Sequence, residues 1–422
     1  MTDARHQYRT LTLVSVLHAF THLYQVALLP LYLPIQKTFK LDNVGSSTFL
    51  VTLMMLSYFL PSYPMGVLAD RFSRKKLLGL GLAINGLGFI GLALSPNYPL
   101  ALASMVVAGF GGSFFHPAAT ALIARLFPTN TGRALGLIGV GAGVGFLIGP
   151  IYTGWRATQS GDWRTPVLEL GLLGIVGAAL FHWLAEDTPA VVAAPHERPK
   201  PEKMFSTPAA AVLFVAAALA FSLRDFTGSS MGSLGSLFLQ NAHGFSVKET
   251  GVALGGIFLA TVISNPLFGH LSDRGRKRWA CLVHVLAASI IAFFPHLPGV
   301  KSHLFFFVFM AYGFFFMASY PIVEAGVILA IHDSMRGRAF GLWITIGGLL
   351  GSLSHWLVGH WVEGFGARAT QPEAYYLLYG VLALLLVASL AGLPCLEAVQ
   401  HRERGGAETL QSSIGNPQSA IK

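Results

Sequence analysis

Charge is what this sequence has least of. Aspartate, glutamate, lysine and arginine make up 11% of its 422 residues, against roughly 25% in an ordinary soluble domain. So few charges cannot cover a water-exposed surface, and a soluble globular protein is excluded. Apolar side chains take their place, at 53% of the chain with a mean hydropathy of +0.60. Cysteine is nearly absent. Cys281 and Cys395 both sit in apolar stretches, so neither a disulfide framework nor a cysteine metal site is expected. No G-x4-G-K-[ST] loop is present to cradle a nucleotide, which speaks against ATP-driven work by this chain. An H-E-x-x-H stretch, a nucleophile–base pair and a carboxylate cluster at a membrane face are also missing, so an enzyme is not expected. No soluble segment is long enough to signal, which makes a membrane sensor a distant reading. No cofactor and no metal are called for. The first apolar run is long enough to span a bilayer and lacks a small-residue cleavage site, so it reads as a membrane segment and not a leader.

What is there is a series of about twelve apolar runs of membrane-spanning length. They cover residues 11–35, 47–65, 77–94, 100–127, 134–155 and 167–184, then 209–239, 250–268, 279–294, 304–331, 339–362 and 375–396. The fold class is an all-α membrane protein with two pseudo-symmetric six-helix bundles. Residues 1–185 form the first bundle and 186–206 a polar linker carrying prolines. Residues 207–396 form the second bundle, and 397–422 a polar tail expected to lack regular structure. The formal net charge of +9 lies in short loops, so it reads as a topology signal and not as a nucleic-acid face. Alternate connections are rich in basic residues, among them Arg71, Lys75, Arg133, Arg198, Arg274, Lys277 and Arg338. The other connections offer only Lys37, Lys40, Arg156, Arg164, Lys248, Lys301 and Arg368. The richer side is expected to be cytoplasmic, with both termini and the linker on it.

Two stretches repeat across the halves. Gly66-Val67-Leu68-Ala69-Asp70-Arg71-Phe72-Ser73-Arg74-Lys75-Lys76 returns as Gly269-His270-Leu271-Ser272-Asp273-Arg274-Gly275-Arg276-Lys277-Arg278. In each copy the glycine permits close approach of two helix ends. Asp70 and Asp273 can accept hydrogen bonds from a helix start or an arginine, and the basic cluster holds the loop at the cytoplasmic face. Likewise Phe115-His116-Pro117 with Gly132-Arg133-Ala134-Leu135-Gly136 is echoed by Ser319-Tyr320-Pro321 with Gly337-Arg338-Ala339-Phe340-Gly341. The prolines can kink a helix or free a carbonyl inside the bundle.

The repeated loop resembles the signature of the major facilitator superfamily, placed where that family has it, between helices 2 and 3 and again between helices 8 and 9. Gly136, Gly145, Gly149, Pro150 and Gly154 in the fifth run make a smooth packing face. They are similar to the pattern the superfamily's exporters carry on helix 5, with Thr153 standing where a glycine is expected. The equivalent helix has Gly347, Gly348 and Gly351 but no Gly-Pro pair. Three shorter stretches resemble the fosmidomycin-resistance exporters: His18-x3-His22 followed by Leu28-Leu29-Pro30-Leu31-Tyr32, Ser113 to Pro117, and Arg224 in the seventh run. That group usually has an acidic residue at the position of His22 and often a glutamate at that of Ala118. The superfamily resemblance implies alternating access by two rocking halves in an inner membrane.

Ionisable residues inside spans are expensive there and rarely idle. His18 and His22 lie at i, i+4 spacing in the first run, His116 in the fourth, Arg224 and Asp225 in the seventh and Glu324 in the tenth. These are the first helices of the four three-helix units, which in the superfamily line the central cavity. Each residue has a structural alternative. His116 can bond a carbonyl across the bundle, His18 can snorkel, Asp225 can merely neutralise Arg224, and Glu324 can serve a gate or dock a loop. Adjacent residues on a helix point apart, so an Arg224–Asp225 pair is not assured. Gln25, Tyr24 and Tyr312 are candidates for neutral hydrogen bonds, and His355 and His360 read as packing or interfacial residues. The run Gly228 to Gly235 is poor helix material and is expected to bend or unwind the seventh span. The expected function is a proton-coupled exporter of a small organic compound, anionic or zwitterionic, acting as a monomer in the bilayer with the proton gradient as energy source. An importer or facilitator shares every feature except the exporter-like glycine pattern.

Overall fold

The computed structural model describes residues 4–186, 204–297, 302–331 and 336–414. Residues 187–203 of the expected linker and 415–422 of the tail lie outside the described residues. Among the described residues all regular structure is helical, and twelve helical stretches are long and apolar enough to cross a membrane. They are Arg5–Phe39, Val44–Ala69, Arg74–Leu94, Tyr98–Leu126, Arg133–Ser160, Arg164–Leu184, Pro208–His243, Val247–Ser272, Arg276–His296, His303–Leu329, Arg338–Glu363 and Pro372–Glu403, here spans 1 to 12. Large apolar side chains stay on the outside, as at Leu172, Val176 and Leu180 of span 6. A surface of that kind is stable only against lipid.

The packing repeats after six spans. In the first half, span 1 packs on span 5, span 3 on spans 4 and 6, and span 2 on span 4. In the second half, span 7 packs on span 11, span 9 on spans 10 and 12, and span 8 on span 10. The halves meet through span 2 against span 11 and span 5 against span 8, which are again equivalent pairs.

Several spans are segmented where the sequence is weak in helix formers. Span 1 breaks into the helix Ala4–Val26, a 3-10 turn at Leu29–Leu31 around Pro30, and the helix Tyr32–Phe39. The carbonyls freed by that break do not stay bare, because bilayer interiors offer no water to pair them. Thr153 Oγ1 donates to the Ala27 carbonyl at 2.7 Å, Ser236 Oγ to that of Leu29 at 2.5 Å, and Gln240 Nε2 to that of Pro30 at 3.3 Å. Thr153 therefore has a bonding role that glycine lacks.

The Gly228–Gly235 stretch corrects the expectation of unwinding. Pro208–His243 is one continuous helix of 36 residues. The small residues let neighbours approach, and Ser233 bonds Tyr32 and His355, so a run that is weak as an isolated helix is held by tertiary contacts here. The tail is corrected as well. Its described part continues the helix Gly392–Ile414, where Glu, Gln, Arg and Ala favour helix although Gly405 and Gly406 do not. Gln400 Nε2 docks it on the Gly326 carbonyl at 3.0 Å.

Candidate functional site

A cavity of about 350 Å³ lies between the halves. It is closed at the end away from the repeated loops. There Thr52 Oγ1 donates to the Ser352 carbonyl at 2.9 Å, and the Tyr32 and Ser233 hydroxyls meet at 2.9 Å. A Cβ on Gly251 would collide with the Pro150 carbonyl, and one on Gly154 with that of Val247. At the loop end the chains diverge: a Cβ on Gly136, Gly139, Gly269 or Gly341 would meet nothing within 4 Å. The cavity thus has one closed end and one splayed end.

The wall from the first half is built of histidine. His18 and His22 sit one turn apart in the helix Ala4–Val26, which carries both toward span 4. His18 is buried, and its Nδ1 lies 2.8 Å from the Ile138 carbonyl of span 5. That contact decides against snorkelling. His22 Nε2 lies 3.0 Å from His18 Nε2, and its Nδ1 lies 2.9 Å from Gln25 Oε1. Span 4 breaks around Ser113 and restarts as Phe115–Leu126, which turns His116 toward the same place. The ring centroids of His18 and His116 are 5.3 Å apart, and those of His22 and His116 5.7 Å. Phe115 stacks on His18 at 4.6 Å and Phe146 lies 4.3 Å from His22. The i, i+4 pair was legible in the sequence; its meeting with His116 was not. His22, Gln25 and His116 line the cavity, with His18 behind them.

The wall from the second half carries fixed charge. Arg224 is fully buried in span 7, and its Nη2 lies 2.9 Å from Asp225 Oδ1, with Nε at 3.0 Å from the same oxygen. Adjacency in the helix does not prevent the pair, because the long guanidinium stem curls back over its neighbour. The guanidinium lies 3.9 Å from the Tyr320 ring centroid, a stacking that suits arginine's flat, weakly hydrated cation. Arg224 Nη1 has no hydrogen-bond partner among the described residues. Asp225 packs directly against Gly347, where any side chain would collide with its carboxylate. Glu324 lines the same cavity one turn beyond Tyr320, with Tyr312 on the other side.

His355, set aside as a packing residue on sequence grounds, lines the cavity and bonds Ser233 Oγ through Nδ1 at 2.7 Å. Tyr320 was also missed, and its pairing with His116 across the repeat was the signal for it. Tyr24 points elsewhere, donating to the Leu170 carbonyl of span 6 at 2.9 Å.

The other expected residues lie away from the cavity. In span 5, a Cβ at Gly145 would collide with the Ala19 carbonyl, and one at Gly149 would press on Val26 and the Leu23 carbonyl. Gly154 meets span 8 instead of span 1, and Gly136 meets nothing, since it sits at the splayed end. Pro150 is accommodated without a break in the helix Thr131–Ser160. Among the loop residues, Gly66 lies near Pro117, while Arg71, Asp273 and Arg274 are exposed. Arg74 and Arg276 open the helices Arg74–Leu94 and Arg276–Phe293. The Asp70 side chain lies outside what is described.

Comparison with known proteins fits this architecture. The model of the Major Facilitator Superfamily matches residues 12–355 and, in a second match, 217–419. Quinolone resistance protein NorA of Staphylococcus aureus (strain MRSA252) is 28% identical over 244 residues, 55% of this chain and 59% of NorA. Uncharacterized MFS-type transporter Rv1250 of Mycobacterium tuberculosis is 34% identical over 128 residues, 30% of this chain and 22% of that protein. The chain therefore matches about a fifth of one curated relative and under two thirds of the other. The crystal structure of a bacterial homolog to the human lysosomal transporter Spinster, inward-facing and unoccupied, superposes with a TM-score of 0.73 over 96% of this chain and 99% of that one, at 16% identity. Twelve spans among the described residues, a six-span packing repeat, a cavity between the halves and a family match along nearly the whole chain lead to one conclusion: this is a multi-pass membrane protein, and it belongs to the major facilitator superfamily.

Proposed function

We propose that the protein exports a small organic zwitterion across the cytoplasmic membrane by alternating access, in exchange for protons. The observation that carries this reading is the buried Arg224, with Nε and Nη2 on Asp225 and Nη1 unpaired beside a cavity that Glu324 also lines. A guanidinium cannot shed its charge, so its free donor is suited to a carboxylate, phosphate or phosphonate. Charge balance then separates the substrate classes. An anion on Arg224 and a proton on Asp225 favour one another, which drives co-transport. A zwitterion sets its anionic group on Arg224 and its ammonium against Asp225 or Glu324, where ammonium and proton exclude one another. Exclusion is what antiport requires. The likeness to NorA and to the helix 5 pattern of exporters supports the outward direction, and the three short stretches resembling the fosmidomycin-resistance group agree with it. With the basic loops on the cytoplasmic side, the splayed end faces the cytoplasm and both termini lie there.

The second reading is proton-coupled uptake of a simple anion, which the Arg224–Asp225 pairing favours by the same balance. Cells with and without the protein, challenged with a panel of toxic zwitterions, anions and cations, separate the two. Export predicts protection against zwitterions that vanishes when the proton gradient is collapsed. Increased sensitivity to anions points to uptake, and protection that survives collapse removes proton coupling.

A further inference from the structure

We propose that His18, His22 and His116 form a binding site for a divalent transition-metal ion of the zinc class, with its remaining coordination position opening on the central cavity. This goes beyond the transport reading and does not depend on it.

The argument starts from two hydrogen bonds. A backbone carbonyl only accepts, so the 2.8 Å contact to Ile138 places a proton on Nδ1 of His18. The oxygen of the Gln25 amide likewise only accepts, so its 2.9 Å contact places a proton on Nδ1 of His22. Both neutral rings then carry a bare lone pair on Nε2, yet these two nitrogens face each other at 3.0 Å. Two lone pairs held face to face repel unless a cation lies between them. With the Gln25 amide turned over, the contact becomes an ordinary hydrogen bond and needs no ion; that is the alternative the experiment separates.

A third nitrogen is at hand. One ring nitrogen from each of His18, His22 and His116 falls within 4.8 Å of the others. Zinc binds imidazole nitrogen at about 2.0–2.1 Å, which puts tetrahedral nitrogens about 3.3 Å apart. The His18–His22 pair is nearly there, and a side-chain rotation of His116, in the first turn after the span 4 break, closes the set. Three protein ligands and one open position is the arrangement of accessible zinc sites, in contrast to closed structural ones. His22 and His116 line the cavity, so that open position faces it.

The surroundings have the features of a metal site's outer shell. Ligating histidines usually donate their second ring nitrogen to a carbonyl or carboxylate, which fixes the tautomer and ring orientation. The Ile138 carbonyl and Gln25 occupy those places. Phe115 and Phe146 flank the rings and limit water. The donor set also selects the ion. Magnesium and calcium require oxygen ligands, and cuprous copper prefers sulfur, whereas three imidazoles suit zinc, cobalt, nickel and cupric copper. A bound ion sets a fixed positive charge opposite the Asp225 and Glu324 carboxylates.

The test is titration of the purified full-length protein in detergent, its affinity tag removed, with cobalt chloride. One equivalent of cobalt per chain should produce the strong visible absorption of a four-coordinate ion, and one equivalent of zinc should abolish it. His22→Gln and His116→Gln, which keep size and neutrality, should each reduce bound cobalt from one equivalent to none, while exposed His303→Ala leaves it unchanged. Gln25→Leu should weaken zinc binding about tenfold through the outer shell. X-ray absorption at the cobalt edge should show imidazole scattering, a readout that does not depend on any variant folding. Binding retained in both glutamine variants, absence of imidazole scattering, or less than a tenth of an equivalent bound to folded wild-type protein would overturn the proposal.

Discussion

The two walls of the cavity stand at equivalent places in the repeat and carry different chemistry. Spans 1 and 4 present imidazoles; spans 7 and 10 present a guanidinium and two carboxylates. His116-Pro117 and Tyr320-Pro321 are counterparts, yet the first residue joins a histidine cluster while the second stacks under Arg224. Even the prolines behave differently. Gly111, Gly112 and Ser113 precede the first and the helix breaks there, whereas Phe315, Met317 and Ala318 precede the second and Ser302–Leu329 runs through. The packing partners are duplicated, as two halves built on one repeat rest on equivalent contacts. The lining need not be: under the proposed function a substrate touches both walls at once and gains specificity from their difference.

The largest effect that would break this contrast is removal of the fixed cation. Arg224→Ala leaves a carboxylate at Asp225 without its partner, and breaking a buried pair in this way costs about 3–5 kcal/mol. Asp225 retains 19% exposure to the cavity, so the low end is expected. Thermal unfolding in detergent should show the loss, transport should cease, and Arg224→Ala with Asp225→Ala should recover most of the stability. A single variant as stable as wild type would mean that the second wall is not organised by the pair.

Next in size is the contrast between the closed and splayed ends. At Gly154 the obstacle is the Val247 backbone carbonyl, which cannot rotate away, while at Gly136 there is none. Gly154→Val should cost about 2 kcal/mol by overpacking, and Gly136→Val should fall within about 0.5 kcal/mol of wild type. Paired unfolding measurements check this, and equal losses would show the splayed end to be packed in the resting protein.

Arg224→Lys probes the chemistry with less damage. A lysine keeps the charge but loses the fork, so affinity for an anionic group should fall about tenfold, roughly one charge-assisted hydrogen bond. Binding to purified protein is the measurement, and unchanged affinity would remove Arg224 from substrate recognition.

How much of this was legible beforehand depended on the range of the interaction. Span count and half-repeat follow from hydropathy and local motifs, which a bilayer enforces strictly. His18 and His22 share a helix face at i, i+4 spacing, whereas Arg224 and Asp225 stand out as charges in a span but their pairing is left open by adjacency alone. His116 joining the pair, Tyr320 under the guanidinium and His355 on Ser233 depend on contacts between distant spans, and no periodicity encodes those. The Gly228–Gly235 run misled for the same reason. Helix propensity describes an isolated segment, while Ser233 and Ser236 are held by Tyr32, His355 and the Leu29 carbonyl. Pro30 makes the break in span 1 whose Leu29 carbonyl Ser236 repairs.

The smallest expected difference lies between the repeated loops, which share a sequence but not a geometry. In the first, Ser73 caps the following helix, its hydroxyl accepting from the Lys76 backbone nitrogen at 3.2 Å. In the second, that helix starts from Gly275 at φ +97°, a conformation that disfavours side chains, and has no side-chain cap. Gly66 lies near Pro117 of span 4, whereas Gly269 has nothing within 4 Å of its Cβ position. The glycine of the first loop is thus seated against span 4 while that of the second stands clear, although Arg276 and Lys277 beyond it touch Gly326 and Glu397. An aspartate that latches two helices in one state of the cycle acts only where the helices are within reach. Asp70→Asn should therefore slow transport by up to about tenfold, the worth of one charge-assisted hydrogen bond, with membrane insertion unchanged. Asp273→Asn should slow it less. Initial transport rates in inverted vesicles, normalised to protein inserted, provide the comparison. Equal slowing by both substitutions would show the loops to act as a symmetric pair despite their different seating.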